Sequence, residues 1–390
     1  MKYKSLFIFI IFTLLSCKKS ELTITPAVEK KLCQTAYNSN SEVIDGYNVT
    51  TFLDSNIQKT AVEALNHGLI SSNADYGCVV IMETNSGKVK AMVNLNKELD
   101  GSYKYKTTTA ISQVNEPGAL MKTFDVLALL EDKKADTTTV FDTHGGEFTF
   151  SGKKIRDSYV INGKISLAKA FSVSSNTVFA QAINDSYSSN PSLFCNRFKN
   201  LGFNKSLGLP FENEGLSNFP EPNTNQWSAI SLPWLSMGYG LSLTPIQLLT
   251  YYNAIANNGV MVKPLFLSEI KDKSGNIKTY TTEVINPKIA SQNTIGTLQH
   301  LLTKKGEIEA SAFLISNNVK IAGNAAAVPL GYANLTSKEN KYLASYVGYF
   351  PANKPKYSVV CFIYNPQKNQ PVYGSVECGG VIKEIVEKVK

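Results

Sequence analysis

Apolar positions along the chain follow two rhythms. Between Ser55 and Leu69 they recur at Ile57, Val62, Leu65 and Leu69, the spacing of one helix face. The stretch GCVVIMETNSGKVKAMVNL instead holds two apolar runs around Asn85-Ser86-Gly87, which predicts two strands joined by a turn. Leu120 to Leu130 is apolar nearly all round and predicts a buried central helix. Leu167 to Ile183 predicts another helix. In TPIQLLTYYNAIANNG, Thr244 suits the N-cap, Pro245 the first helical position and Gln247 a capping box, while Gly259 suits the stop. Near the end, YLASYVGYF and KYSVVCFIYN flank PANKP and predict adjacent strands. GGVIKEIVEKVK predicts an amphipathic helix laid on their sheet. The pattern is that of an α+β fold: a largely antiparallel sheet covered by helices, with a helical region in mid-chain.

The first residues have a different character. In MKYKSLFIFIIFTLLSCKKS, Lys2 and Lys4 precede an apolar run from Ser5 to Ser16 that is short for a bilayer span. It ends in LLSC, which resembles a bacterial lipobox: residues 1–16 are expected to be a signal peptide and Cys17 the lipidated N-terminus. A plain secretory signal or a signal anchor are the alternatives. Residues 17–47 are expected to be a polar tether, and residues 48–390 a single domain. Two lipid chains would hold the protein to a membrane without a spanning helix.

Composition adds exclusions. With 43% hydrophobic and 18% charged residues, the chain can bury a large core. The formal charge of +8 is carried almost entirely by lysine, the only arginines being Arg156 and Arg197. No basic run is interleaved with aromatics, so nucleic acid is not an expected partner. Once Cys17 is set aside, Cys33, Cys78, Cys195, Cys361 and Cys378 are odd in number, so at least one is unpaired. His67, His144 and His300 are scattered and lack zinc-ligand spacing; no metal or cofactor is expected.

The chemistry concentrates in NEPGALMKTF, residues 115–124, taken with its distant companions. LDSNIQKTAVEAL, GCVVIMETNSGKVKAMV, NEPGALMK, SVSSNTVFAQ, MGYGLSLTPIQLLTYYNAIANNGVMVKP, IAGNAAA and YVGYFPANKPKYSVV occur in that order. Together they resemble the transpeptidase domain of bacterial penicillin-binding proteins, of the monofunctional division or elongation type, over nearly all of residues 50–390. The resemblance implies the penicillin-binding protein/β-lactamase-like fold and three motifs around one cleft.

In that family an S-x-x-K serine attacks the D-Ala-D-Ala carbonyl, and the lysine can take its proton. Here the frame reads Ala119-Leu120-Met121-Lys122, without the hydroxyl. The S-x-N motif is intact as Ser174-Ser175-Asn176, and the resemblance implies that Lys122 bonds to Ser174 and Asn176. The K-[TS]-G-[TS] motif is replaced by Asn324-Ala325-Ala326-Ala327. By the same resemblance, Asn324 replaces an anchoring charge, Ala325 and Ala327 replace carboxylate-binding hydroxyls, and Ala326 replaces a glycine.

The expectation is a catalytically inactive, membrane-tethered relative on the outer, periplasmic face of the inner membrane. It would act as a non-catalytic partner of cell-wall synthesis or division proteins. One alternative is an active transpeptidase or carboxypeptidase with a relocated nucleophile. Ser174 is the main candidate for that, since the chance S-x-x-K matches at Ser151 and Ser166 lie in a hairpin and at a helix cap. The other is a sensor holding a peptidoglycan stem peptide or β-lactam without a covalent bond.

Overall fold

The structure is a computed structural model. It describes residues 21–106, 108–225, 227–310, 319–330, 341–368 and 371–389. The expected signal segment and Cys17 lie outside these residues. Among the described residues no helix is long and apolar enough to cross a membrane.

Six antiparallel strands form the central sheet. Their order is Ala322–Pro329, Tyr342–Phe350, Tyr357–Tyr364, Tyr76–Glu83, Val89–Lys97 and Tyr103–Tyr105. Both faces are covered, which is why the inner strands read as continuous apolar runs. Val79, Ile81, Cys361 and Ile363 point to one face, where they meet Ile57, Leu65 and Leu69 of the helix Ser55–Ser72 and Val381, Ile382 and Ile385 of the helix Gly379–Lys388. Their neighbours Val80, Met82, Val360 and Phe362 point to the other face, into the larger core. That core contains the helix Pro245–Ala256, buried at every position and opened by the Thr244–Gln247 capping box.

Two predicted helices differ in detail. The predicted helix Leu120–Leu130 begins inside a 3-10 turn, Gly118–Met121, and becomes α-helical at Lys122–Glu131. The stretch Leu167–Ile183 is two helices, Leu167–Val173 and Asn176–Tyr187. Ser174 breaks it with φ +57°, and the Ser175 side chain caps the second helix by accepting from Val178 N. Apolar periodicity runs through this break, since each half keeps its own buried stripe.

The tether expected over 17–47 is overturned for its latter part. Pro26–Ala36 is a helix capped by Thr25, and Ser41–Ile44 and Tyr47–Thr51 are strands. Leu32, Cys33 and Ala36 are buried, so the helix docks through a narrow apolar stripe on an otherwise polar sequence. The two strands continue into Leu267–Lys271 and Ile277–Thr279 as a second, four-stranded antiparallel sheet. The ordered body therefore begins well before residue 48. All five described cysteines are buried and free, and Cys361 is a core residue.

Candidate active site

The turn before Ala119 is held from outside. Glu116 Oε1 accepts from Gly240 N at 2.8 Å, and Gly118 N donates to Gly238 O at 3.2 Å. Gly118 has φ +56°, and a Cβ there would stand 2.4 Å from Val328 Cγ2. Only glycine satisfies both the backbone sign and the space. The following 3-10 turn has three residues per turn, so side chains at 119 and 122 eclipse. Ala119 thus sits directly above Lys122, as a nucleophile above its base would, with a methyl in place of an oxygen.

Lys122 is fully buried and its ammonium meets three acceptors. Nζ donates to Asn176 Oδ1 at 2.6 Å, to Ser174 O at 2.7 Å and to Ser174 Oγ at 3.1 Å. These are the partners expected from the sequence, and they depend on the helix break. The left-handed Ser174 turns its carbonyl and hydroxyl inward, while Asn176 Nδ2 donates to Arg156 O at 2.8 Å and so fixes Oδ1 toward the lysine. Asp157 braces the same turn, accepting from Ser175 Oγ at 2.8 Å, Thr177 N at 2.9 Å and Thr177 Oγ1 at 3.0 Å.

Burial pulls the Lys122 amine down to about 7, and the nearby Lys305 adds to the fall; Asp157 and Asp125 oppose it. Lys305 is itself buried, donating from Nζ to Phe171 O at 3.2 Å and Ser172 O at 3.3 Å. Asp125 lies one turn beyond Lys122 and is fully buried. Neither of its carboxyl oxygens has a hydrogen-bond partner among the described residues, and burial pushes its carboxyl well above the usual range. Reasoning from sequence missed Asp125, Asp157 and Lys305. Asp125 left a signal, an acid in the otherwise apolar run FDVLALL, whereas Lys305 and Asp157 reach the site through tertiary packing alone.

The edge strand divides its four altered residues between two faces. Asn324 and Ala326 face the turn. Asn324 is buried, and its Nδ2 donates to Ala119 O at 3.1 Å, with Thr123 Oγ1 and Tyr252 OH both at 3.5 Å. Its Oδ1 finds no partner among the described residues. The Cβ of Ala326 lies 3.5 Å from where a Cβ on Gly118 would be, so methyl groups line this wall. Ala325 and Ala327 alternate to the opposite face and pack against the core under the helix pair. Ser166 caps its own helix through Lys169 N at 3.2 Å, and Ser151 sits at a hairpin turn with φ +45°.

A buried lysine under a helix-leading turn, faced by an S-x-N corner and a sheet edge, is the architecture of a serine acyl-transfer site. Residues 77–387 match the family model described as the penicillin binding protein transpeptidase domain, and the chain belongs to that family. It is 26% identical over 358 residues to the peptidoglycan D,D-transpeptidase FtsI of Buchnera aphidicola, with 89% of this chain and 59% of that protein covered. Against FtsI of Escherichia coli the identity is 26% over 372 residues, with 88% and 58% covered. The probable peptidoglycan D,D-transpeptidase PenA of Neisseria flavescens is 24% identical, with 89% and 83% covered. The chain thus spans under three-fifths of the length of the FtsI relatives. The fold is shared with the transpeptidase domain of Burkholderia pseudomallei penicillin-binding protein 3. That match has a TM-score of 0.71 at 21% identity, covering 87% of this chain and 94% of that one.

Proposed function

We propose that this chain is a non-catalytic member of its family, acting by binding in peptidoglycan synthesis or cell division. The relatives are named as D,D-transpeptidases, and Ala119 carries the reading. The position eclipsing Lys122 has no oxygen to attack a carbonyl, so no acyl-enzyme forms there. Two further features support it. Asn324 spends its amide on Ala119 O, inside the protein, and holds no charge for an anionic substrate. The Ala326 methyl lines the wall where the family has glycine. The protein is held at the outer face of the inner membrane by lipid on Cys17; palmitate labelling that survives Cys17→Ser would overturn that part.

The test is exposure of the protein to a fluorescent penicillin followed by intact-mass measurement. The expected result is no covalent adduct. A stoichiometric adduct overturns the reading.

One observation favours a second reading, a relocated nucleophile at Ser174. Its Oγ lies 3.1 Å from Lys122 Nζ, and a neutral amine there would accept the hydroxyl proton. Against it, Ser174 belongs to the S-x-N corner and not to the turn that leads the Lys122 helix, and about 1 Å of displacement can cost two orders of magnitude. An adduct that maps to Ser174 and vanishes in Ser174→Ala would establish it.

A further inference from the structure

Two tyrosines outside all three motifs meet beside the site. The ring of Tyr159 stacks on that of Tyr373, centroids 6.4 Å apart and planes 8° from parallel. A hydrogen bond to Tyr373 raises the Tyr159 phenol above its ordinary value. The rings are 58% and 36% exposed, so the contact is at the surface and no core packing demands it.

The two residues are carried by different segments, one tied to the S-x-N corner and the other to the edge strand. Tyr159 follows Arg156 and Asp157. Arg156 O accepts from Asn176, which holds Lys122, and Asp157 braces Ser175 and Thr177. Tyr373 precedes Gly374, which is packed so tightly on the edge strand that a Cβ would stand 2.2 Å from Ala326 O. Ala326 in turn faces Gly118, at the other end of the same turn that carries Lys122. The chain of contacts is closed: Lys122, Asn176, Arg156, Tyr159, Tyr373, Gly374, Ala326, Gly118. The tyrosine pair is the one link in this ring made by exposed side chains alone.

We propose that Tyr159 and Tyr373 form a bar across the cleft and select by width what reaches Ala119. Narrow, unbranched groups pass beside the stacked rings. Bulky or fused-ring molecules enter only when the rings part. The interaction to be broken is one exposed aromatic contact and one exposed hydroxyl bond, so the bar opens thermally but excludes wide ligands most of the time.

The tyrosine pair governs access whether or not the site is inert, and its test needs no natural ligand. A cysteine probe is introduced as Ala119→Cys in the full chain. The native described cysteines are all buried, and subtracting the parent chain's signal removes any contribution from Cys17. The probe is then reacted with methyl methanethiosulfonate, a small reagent, and with fluorescein maleimide, a wide one. Adding Tyr159→Ala is expected to raise the fluorescein maleimide rate about tenfold while changing the small reagent's rate less than about twofold. Tyr373→Ala should do the same, and the two together should do no more than either alone. Tyr159→Phe keeps the ring and should raise the wide reagent's rate only two- to threefold; its fold is checked by an unchanged urea midpoint. A wide-reagent rate that is the same with and without Tyr159, or equal in the Phe and Ala variants, overturns the proposal. A penicillin adduct on the native chain would sink the non-catalytic reading and leave the bar standing.

Discussion

Replacing Lys122 with methionine tests what the lysine is doing now. Methionine is close in length and volume, so the cavity stays filled. The change has two opposed effects. Removing the amine strands Ser174 O and Asn176 Oδ1, buried acceptors whose loss costs about 1–3 kcal/mol each. It also removes a buried cation. With the folded-state amine at about 7 against 10.5 in the unfolded chain, charging that site costs about 5 kcal/mol at low pH. Near pH 6 the two effects nearly cancel, and Lys122→Met should lie within about 2 kcal/mol of the parent. Between the two values the unfolded chain holds a proton that the folded chain does not. Parent stability therefore gains about 1.4 kcal/mol per pH unit relative to the variant as pH rises from about 7 toward 10.5, and is flat below 7. From pH 7 to 9 the gap should widen by roughly 2–3 kcal/mol in the parent's favour. Urea unfolding at pH 6, 7, 8 and 9, followed by the fluorescence of Trp227 and Trp234, measures it. A difference that stays constant across this range would refute the reasoning. It would mean that three acceptors hold Lys122 charged throughout and outweigh burial and the neighbouring Lys305.

Further outcomes follow from the same geometry. Ala119→Ser alone should label with fluorescent penicillin far more slowly than Ala119→Ser combined with Asn324→Lys and Ala326→Gly, compared by gel; equal rates would show that the edge strand is not limiting. Gly118→Ala should destabilise by about 2 kcal/mol or more, from a left-handed backbone and the contact with Val328. Val328→Ala in the same chain should return the steric part, and a urea double-mutant cycle with no coupling would contradict that contact. Leu32→Ala should cost about 2–4 kcal/mol because the residue is buried where a tether would leave it exposed; a change under 0.5 kcal/mol would restore the tether.

What could be read from the sequence, and what could not, divides along a physical line. Local signals were sufficient where a segment satisfies its own backbone. Thr244, Pro245 and Gln247 mark a helix start with side chains only one turn apart, and that start is where they place it. The hairpin at Asn85-Ser86-Gly87 likewise sets its own register. The N-terminal helix failed this test for an equally local reason. PAVEKKLCQTA shows three buried positions in eleven, too few to stand out as a stripe, and the strands it packs on, Ser41–Ile44 and Tyr47–Thr51, are themselves held by Leu267–Lys271, more than two hundred residues away. The break at Ser174 was masked because apolar spacing carries on through a residue whose role is to reverse the backbone.

The site shows the same division with a sharper consequence. Counting altered motif residues gives four changes in the edge strand and one in the turn, as though all bore equally on chemistry. Strand alternation separates Ala325 and Ala327 from the other two, since both are half-buried on the opposite face of the edge strand. The case for lost catalysis then rests on Ala119, Asn324 and Ala326, and these three are physically linked: Asn324 donates to Ala119 O, and the Ala326 methyl faces Gly118 one residue earlier. Linked positions need not change together by chance. With no serine to anchor, a charged side chain at 324 would be a third buried cation, added to Lys122 and Lys305, and like charges in a low-dielectric corner are costly. Asn324 removes that repulsion and ties the edge strand to the turn. On the non-catalytic reading we propose, the retained Lys122 and the altered edge strand have one cause: without a nucleophile, the site keeps its two buried lysines, Lys122 and Lys305, and adds no third charge at 324.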